Sequence, residues 1–155
     1  MDNISCIGEA CVGCANCFYK CSQNAIEMKY DAEGFLYPQI DRNKCVNCGK
    51  CLTVCPQKMS IKARKVGTAM MVVSRNKKIY KKSASGGVFA TLAAELLKSK
   101  DIVYICGAAY VNKKVQHIII DSEKELYRLQ GSKYVQSELG NSFEKIKKIL
   151  VEGGM

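Results

Sequence analysis

The stretch "CVGCANCFYKC", Cys11 to Cys21, spaces four cysteines by two, two and three residues, and "CVNCGKCLTVC", Cys45 to Cys55, repeats that spacing. Laid on each other at an offset of 34, the two copies align all four cysteines, Val12 with Val46, and Gln23 with Gln57. Eight of the ten cysteines of this 155-residue chain fall in these runs. Thiols this dense constrain a fold more than any hydrophobic pattern, because they either pair with one another or converge on a common centre. Cross-linking does not require two identical spacings, so a disulfide framework accounts poorly for the duplication. The start "MDNISC" lacks the basic stretch and apolar core of a secretory leader. The longest uncharged apolar run, Ile102 to Val111, is much shorter than the roughly 20 residues a bilayer demands. A cytoplasmic, reducing setting is therefore expected, in which neighbouring thiols serve as metal ligands.

Two kinds of metal compete for these thiolates. Structural zinc takes four tetrahedral ligands, usually from two separate C-x2-C pairs. Here each run offers three cysteines on one tight loop and a fourth beyond it, which suits three corners of an iron–sulfur cube. The spacing is that of bacterial two-cluster ferredoxins, in which the fourth cysteine ligates the other cluster. Its position on a helical turn, pointing away from its own loop, explains the crossing. The expected sets are Cys11, Cys14, Cys17 and Cys55 for one 4Fe–4S cluster, and Cys45, Cys48, Cys51 and Cys21 for the other. With every iron held by thiolate, no iron has an open position for substrate, and one-electron transfer is the chemistry that remains. Clusters acting only as structural staples are the plainer alternative.

The formal net charge is +10; two such clusters with their thiolates would lower it to roughly +6. No acidic residue lies between Asp41 and Glu95, while twelve lysines and arginines run from Arg42 to Lys82. Such a stretch is either a solvated face or a docking surface for an acidic protein or a phosphate-bearing cofactor. Nucleic acid is disfavoured, because the stretch has no interleaved aromatics to make a stacking platform.

The composition, 48% hydrophobic and 25% charged, is that of a folded chain. Residues 1–62 form one block. Between its cysteine runs, Ala25–Tyr30 and Phe35–Ile40 read as strands around "DAEG", with Gly34 suited to a positive φ. Short helical turns are expected at Cys17–Cys21 and Cys51–Cys55, the second stopped by Pro56. In the remainder, residues 63–155, "AMMVVS" reads as a strand. "SASGGVFATLAAELLKSK" reads as a helix with Val88, Phe89, Leu92, Ala93, Leu96 and Leu97 on one face. "DIVYICGAAYV", expected to be buried on both faces with Cys106 in the core, and "VQHIIID" read as neighbouring strands. "SEKELYRLQ" opens with a capping box, Ser122 and Glu125. "NSFEKIKKILVEGG" reads as a last helix, capped by Asn141 or Ser142 and stopped by Gly153. Cys6 is read as a spare thiol. His117, the single histidine, is expected at a packed or edge position without acid–base work.

The first block closely resembles the bacterial two-cluster ferredoxin domain, departing from it at Ser22, where that family has proline. In the second block, "KSASGGVF" follows a basic run. Ser83 or Ser85 is there either an ordinary helix cap or, with the backbone of Gly86 and Gly87, part of a site for a phosphate or an electron-rich ring. The order "SASGGVFATLAAELL", "GAAY", "LQGSKYVQSELG" after a two-cluster domain is similar to the N-terminal part of the coenzyme F-420 hydrogenase/dehydrogenase beta-subunit family. That resemblance implies part of an iron–sulfur flavoprotein oxidoreductase that binds FAD, with Ser85, Gly86, Gly87, Ser132, Lys133 and Tyr134 near the flavin. It also implies that residues 63–155 are a truncated piece of a longer domain. The expected fold class is α+β, a two-cluster ferredoxin-like domain followed by an incomplete α/β flavin-type domain. The expected partners are a redox protein, acidic in character, and a flavin, F-420 or nicotinamide-type carrier. The alternative is a stand-alone ferredoxin-type carrier that docks to a separate enzyme.

Overall fold

The computed structural model describes residues 3–59, 67–99, 101 and 103–153. The block boundary expected at residue 62, the basic residues Lys62, Arg64 and Lys65, and Ile102 lie outside the described residues. The chain divides into two compact units, Met1–Lys65 and Val66–Met155.

In the first unit a 3-10 segment, Ile4–Ala10, leads into the first cysteine loop; Asn3 caps it through a side chain that accepts from the Ser5 N–H. Helix α1, Asn16–Lys20, follows and carries Cys17. Strands β1 (Ile26–Tyr30) and β2 (Leu36–Ile40) form an antiparallel hairpin in which Ile26 faces Ile40 and Met28 faces Pro38. The turn between them is held by Asp31, whose Oδ1 accepts from the N–H groups of Glu33 and Phe35. Gly34 supplies the left-handed residue there, at φ +87°. A 3-10 turn, Leu52–Val54, completes the second loop, with Pro56 beyond its end preventing continuation. The buried residues Ile4, Cys17, Ile26, Cys51 and Cys55 form a core that is largely sulfur.

The second unit has a conventional apolar core. Helix α2 (Lys77–Lys82) is capped by Asn76, whose Oδ1 accepts from Lys78 and Ile79 N–H. Helix α3 spans Val88–Leu97. Strands β3 (Ile105–Val111) and β4 (Lys114–Ile120) form a second antiparallel hairpin. They are joined by Asn112 and Lys113, both at positive φ (49° and 66°), as the two-residue turn matching strand twist requires. A parallel bridge joins Gln116 to Glu138. A 3-10 segment, Glu123–Arg128, packs against α3, and helix α4 (Ser142–Val151) against β4. Gly153, at φ +85°, follows the end of α4.

Several expectations for this unit need correction. "AMMVVS" is not a strand: residues 69–73 are irregular and exposed. Their continuation instead runs against the next loop, where Ser74 N–H donates to Gly86 O at 2.6 Å. Helix α3 buries Ala90, Ala93 and Ala94 and packs Leu97 against that core, so of the expected face only Ala93 and Leu97 point inward. Val88, Phe89, Leu92 and Leu96 are exposed. Alanines at i, i+3 and i+4 let the helix pack closely against a core that includes Ala109, Ile120 and Leu126. Strand β3 is covered on one face only. Paired residues share a face, so Cys106, opposite Ile119, lies on the other side from Ala109, and Cys106 is exposed rather than buried. Ser122 accepts from Lys124 N–H, but Glu125 turns to Arg128 at 2.6 Å, so no reciprocal capping box forms. Asn141 occupies the N-cap of α4 without a side-chain bond, because the adjacent Ser142 hydroxyl donates to His117 O.

Candidate functional site

The two cysteine loops bend where left-handed residues allow it. Ala15 and Asn47 hold positive φ (59° and 51°), as do Gly13 and Gly49. Successive turns of this kind carry the thiols of one loop around a common space. Cys11, Cys14 and Cys17 line one cavity together with Cys55, which comes from the other copy. Cys45, Cys48 and Cys51 line a second with Cys21. The empty space, its solvent-open part included, is about 310 Å³ in the first and about 370 Å³ in the second. Each ring thus takes three sulfurs from one run and the fourth from its duplicate.

Backbone amides point at several of these sulfurs. Gly13 N–H donates to Cys11 Sγ and Ala25 N–H to Cys21 Sγ, each at 3.4 Å. Burial pushes the Cys17 thiol up to about 11, opposed by the Phe18 N–H and reinforced by Cys14 and Cys11. Cys51 is raised by burial too, against the backbone N–H groups of Ile4, Cys51 and Leu52. At Cys17 and Cys51 the protonated thiol is therefore favoured in the absence of metal, and a bound metal would have to displace those protons. Among the described residues, no three His, Cys, Asp or Glu side chains converge on a point fit for a single metal ion. Four thiols lining each cavity are the number a cubane core takes, and this donor set fits one.

In the second unit a cavity whose empty space, its solvent-open part included, is about 650 Å³ is lined by Ser83 to Ala90 and by Leu129 to Ser132. Of the residues the sequence associates with a flavin, Ser85, Gly86, Gly87 and Ser132 meet there; Lys133 and Tyr134 do not line it. Lys133 Nζ donates to the carbonyls of Gln130 (2.8 Å) and Gly131 (3.0 Å), closing the end of the preceding turn. Burial holds its ammonium below the usual lysine value. Tyr134 is 91% exposed. Neither Ser83 nor Ser85 caps α3: the N-cap is Gly87, without a side-chain bond, and the Ser83 hydroxyl donates to Ile79 O. Gly86 has a local reason to be glycine, since a Cβ there would collide with the Val72 carbonyl oxygen. His117 bonds through Nδ1 to the Ser137 hydroxyl at 2.7 Å. Helix α2, read from the sequence only as part of a basic run, exposes Lys77, Lys78, Lys81 and Lys82.

Comparison with known families accounts for both units. Residues 10–59 match the 4Fe-4S dicluster domain, and a second 4Fe-4S dicluster description matches residues 37–91. Residues 69–144 match the family described as coenzyme F420 hydrogenase/dehydrogenase, beta subunit N-term. The chain thus resembles an iron–sulfur dicluster domain followed by the N-terminal segment of an F420 hydrogenase/dehydrogenase beta subunit. The matched dicluster domains are of the iron–sulfur electron-transfer kind. A curated relative from Methanosarcina acetivorans, a component of an ion-translocating oxidoreductase complex, is 42% identical over 48 residues. That match covers 31% of this chain and 16% of the relative. Among the described residues no helix is long and apolar enough to cross a membrane.

Proposed function

We propose that this chain is the electron-transfer part of an iron–sulfur flavoprotein oxidoreductase in the cytoplasm. Two 4Fe–4S clusters are held by Cys11, Cys14, Cys17 and Cys55 and by Cys45, Cys48, Cys51 and Cys21. The observation that carries this reading is the lining of each cavity by three thiols of one run and the fourth thiol of the other. Four thiols per cavity, three of them from one run with two-residue spacing, favour a cube over a lone zinc ion. Bound clusters supply reversible one-electron storage. The chain's own contribution is to exclude water with Ile4, Ile26 and Met28, and to aim N–H groups at sulfur.

In the second unit, the cavity at Ser85, Gly86, Gly87 and Ser132 takes part of an FAD, whose two-electron chemistry would pair the single electrons. The uncapped first turn of α3 lines that cavity and favours a phosphate. Lys133 acts from behind, by holding the Gln130–Gly131 backbone. Such a flavin would exchange electrons with F-420, a nicotinamide, a ferredoxin or an organic substrate.

A second reading, a carrier that docks to a separate acidic redox protein, is favoured by helix α2. Its four exposed lysines have no carboxylate partner among the described ion pairs. Anaerobic reconstitution of the full chain with iron, sulfide and FAD separates the readings. About eight irons with equal sulfide and one retained flavin support the first. Full iron without flavin, and partner binding that weakens with salt, support the second. Zinc without acid-labile sulfide would overturn both.

A further inference from the structure

The two cavities are products of one repeat, but the repeat is imperfect where it matters electrically. At the offset of 34, Lys50 corresponds to Asn16 and Cys48 to Cys14. Lys50, an exposed residue, lines the Cys45 cavity together with Asn3 and Asn47. Lys50 makes no ion pair among the described residues. Asn16 lines the Cys11 cavity but spends its amide on the Val54 carbonyl, at 3.4 Å. Access to water differs in the same sense. Cys48 is exposed where Cys14 is half-buried. The Cys11 ring has two buried thiols, Cys17 and Cys55, against one, Cys51, in its counterpart.

These differences act on one quantity. Reduction of a thiolate-held cube adds one electron and no proton, so its net charge becomes more negative by one. A nearby cation and access to water both stabilise the added charge and move the potential upward. Burial among apolar groups without a cation moves it downward. We infer that the chain holds its clusters at two different potentials, with the ring of Cys45, Cys48, Cys51 and Cys21 the more positive and Lys50 the residue that separates them. An electron delivered by a one-electron donor protein rests in that ring. The Cys11 ring fills only when the donor is more strongly reducing. Lys50 does not ligate iron; it acts on the ring through its charge, and screening by salt narrows the gap. This inference rests on the cluster reading above.

The test is a dithionite titration of the reconstituted full chain, followed by electron paramagnetic resonance. Two resolved midpoints are expected in the wild type. Lys50→Gln should lower the more positive midpoint and leave the other in place, and Lys50→Arg should restore it. Asn16→Lys should raise the lower midpoint toward the upper one. Intact clusters whose upper midpoint ignores Lys50→Gln would overturn this inference alone, as would a shift confined to the lower midpoint. Failure of the wild type to take up acid-labile sulfide would overturn the cluster reading, and this inference with it.

Discussion

The two units are built on opposite principles. In the first, the buried cluster is two isoleucines and three cysteines, with Ala15 and Ala25 the other buried apolar side chains, and most of the chain around them is loop. In the second, three alanines of α3, Ala109, Ile120, Leu126 and Leu129 make a core in which no functional group takes part. Burying so few apolar side chains offsets little of the entropy of ordering the loops. The first unit therefore needs its inorganic content to hold its shape, and metal affinity and folding are the same free energy there. The second folds on packing alone, which leaves its loops at Ser83–Gly87 and Leu129–Ser132 free to line a cavity. A site that is also the core cannot be altered without altering the fold; a site at the edge of a core can.

The strongest way to break this comparison is through the crossed thiols. Cys55→Ser should remove the cluster of the Cys11 ring and leave that of the Cys45 ring. About half the iron and acid-labile sulfide would then be lost. Loss from the wrong ring, read by which cysteines alkylate, would refute the crossing. Next in size, Leu126→Ala should destabilise the second unit by about 2–5 kcal/mol in urea melts followed by circular dichroism. The visible absorption of the clusters should persist until higher urea, and coincident loss of both signals would mean the units do not fold independently. The smallest effect is expected at Asp41, which opens the turn before Cys45 by accepting from Asn43 N–H at 2.9 Å. That N–H, with help from Lys44, holds its carboxyl below the usual carboxylate range. The stability it adds is present above the ordinary carboxylate value and is lost as pH falls through the depressed one. Asp41→Asn should thus lower the thermal midpoint slightly at neutral pH, with the difference closing in acid; a difference that widens in acid would reverse the assignment.

Legibility in the sequence follows the range of the interactions. The hairpin around "DAEG" is readable because turn chemistry is local, and its strands fall within a residue of the expected ends. The grouping of Ser85–Gly87 with Ser132 follows from a family resemblance, not from any property of those residues alone. The buried face of α3 is not the one its periodicity suggests. Hydrophobic periodicity ranks Leu92 and Leu96 above Ala90 and Ala94, whereas the helix buries the face that lets backbones approach. Cys106 departs from expectation for a related reason, since an apolar strand says nothing about how many of its faces will be covered. The commitment of Lys133 to the Gln130 and Gly131 carbonyls has no signal in the sequence except a glycine nearby.

The doubling of the cysteine run is fixed by spacing along the chain, and the dicluster match over residues 10–59 covers both copies. The difference between Lys50 and Asn16 is also plain in the letters, but its meaning is not. Only the folded chain puts each of them beside a ring of sulfurs and ties the Asn16 amide to a carbonyl. Residue type and short-range spacing act along the chain and can be read there. Which charge faces which cavity depends on contacts between distant segments, and those exist only once the loops have closed.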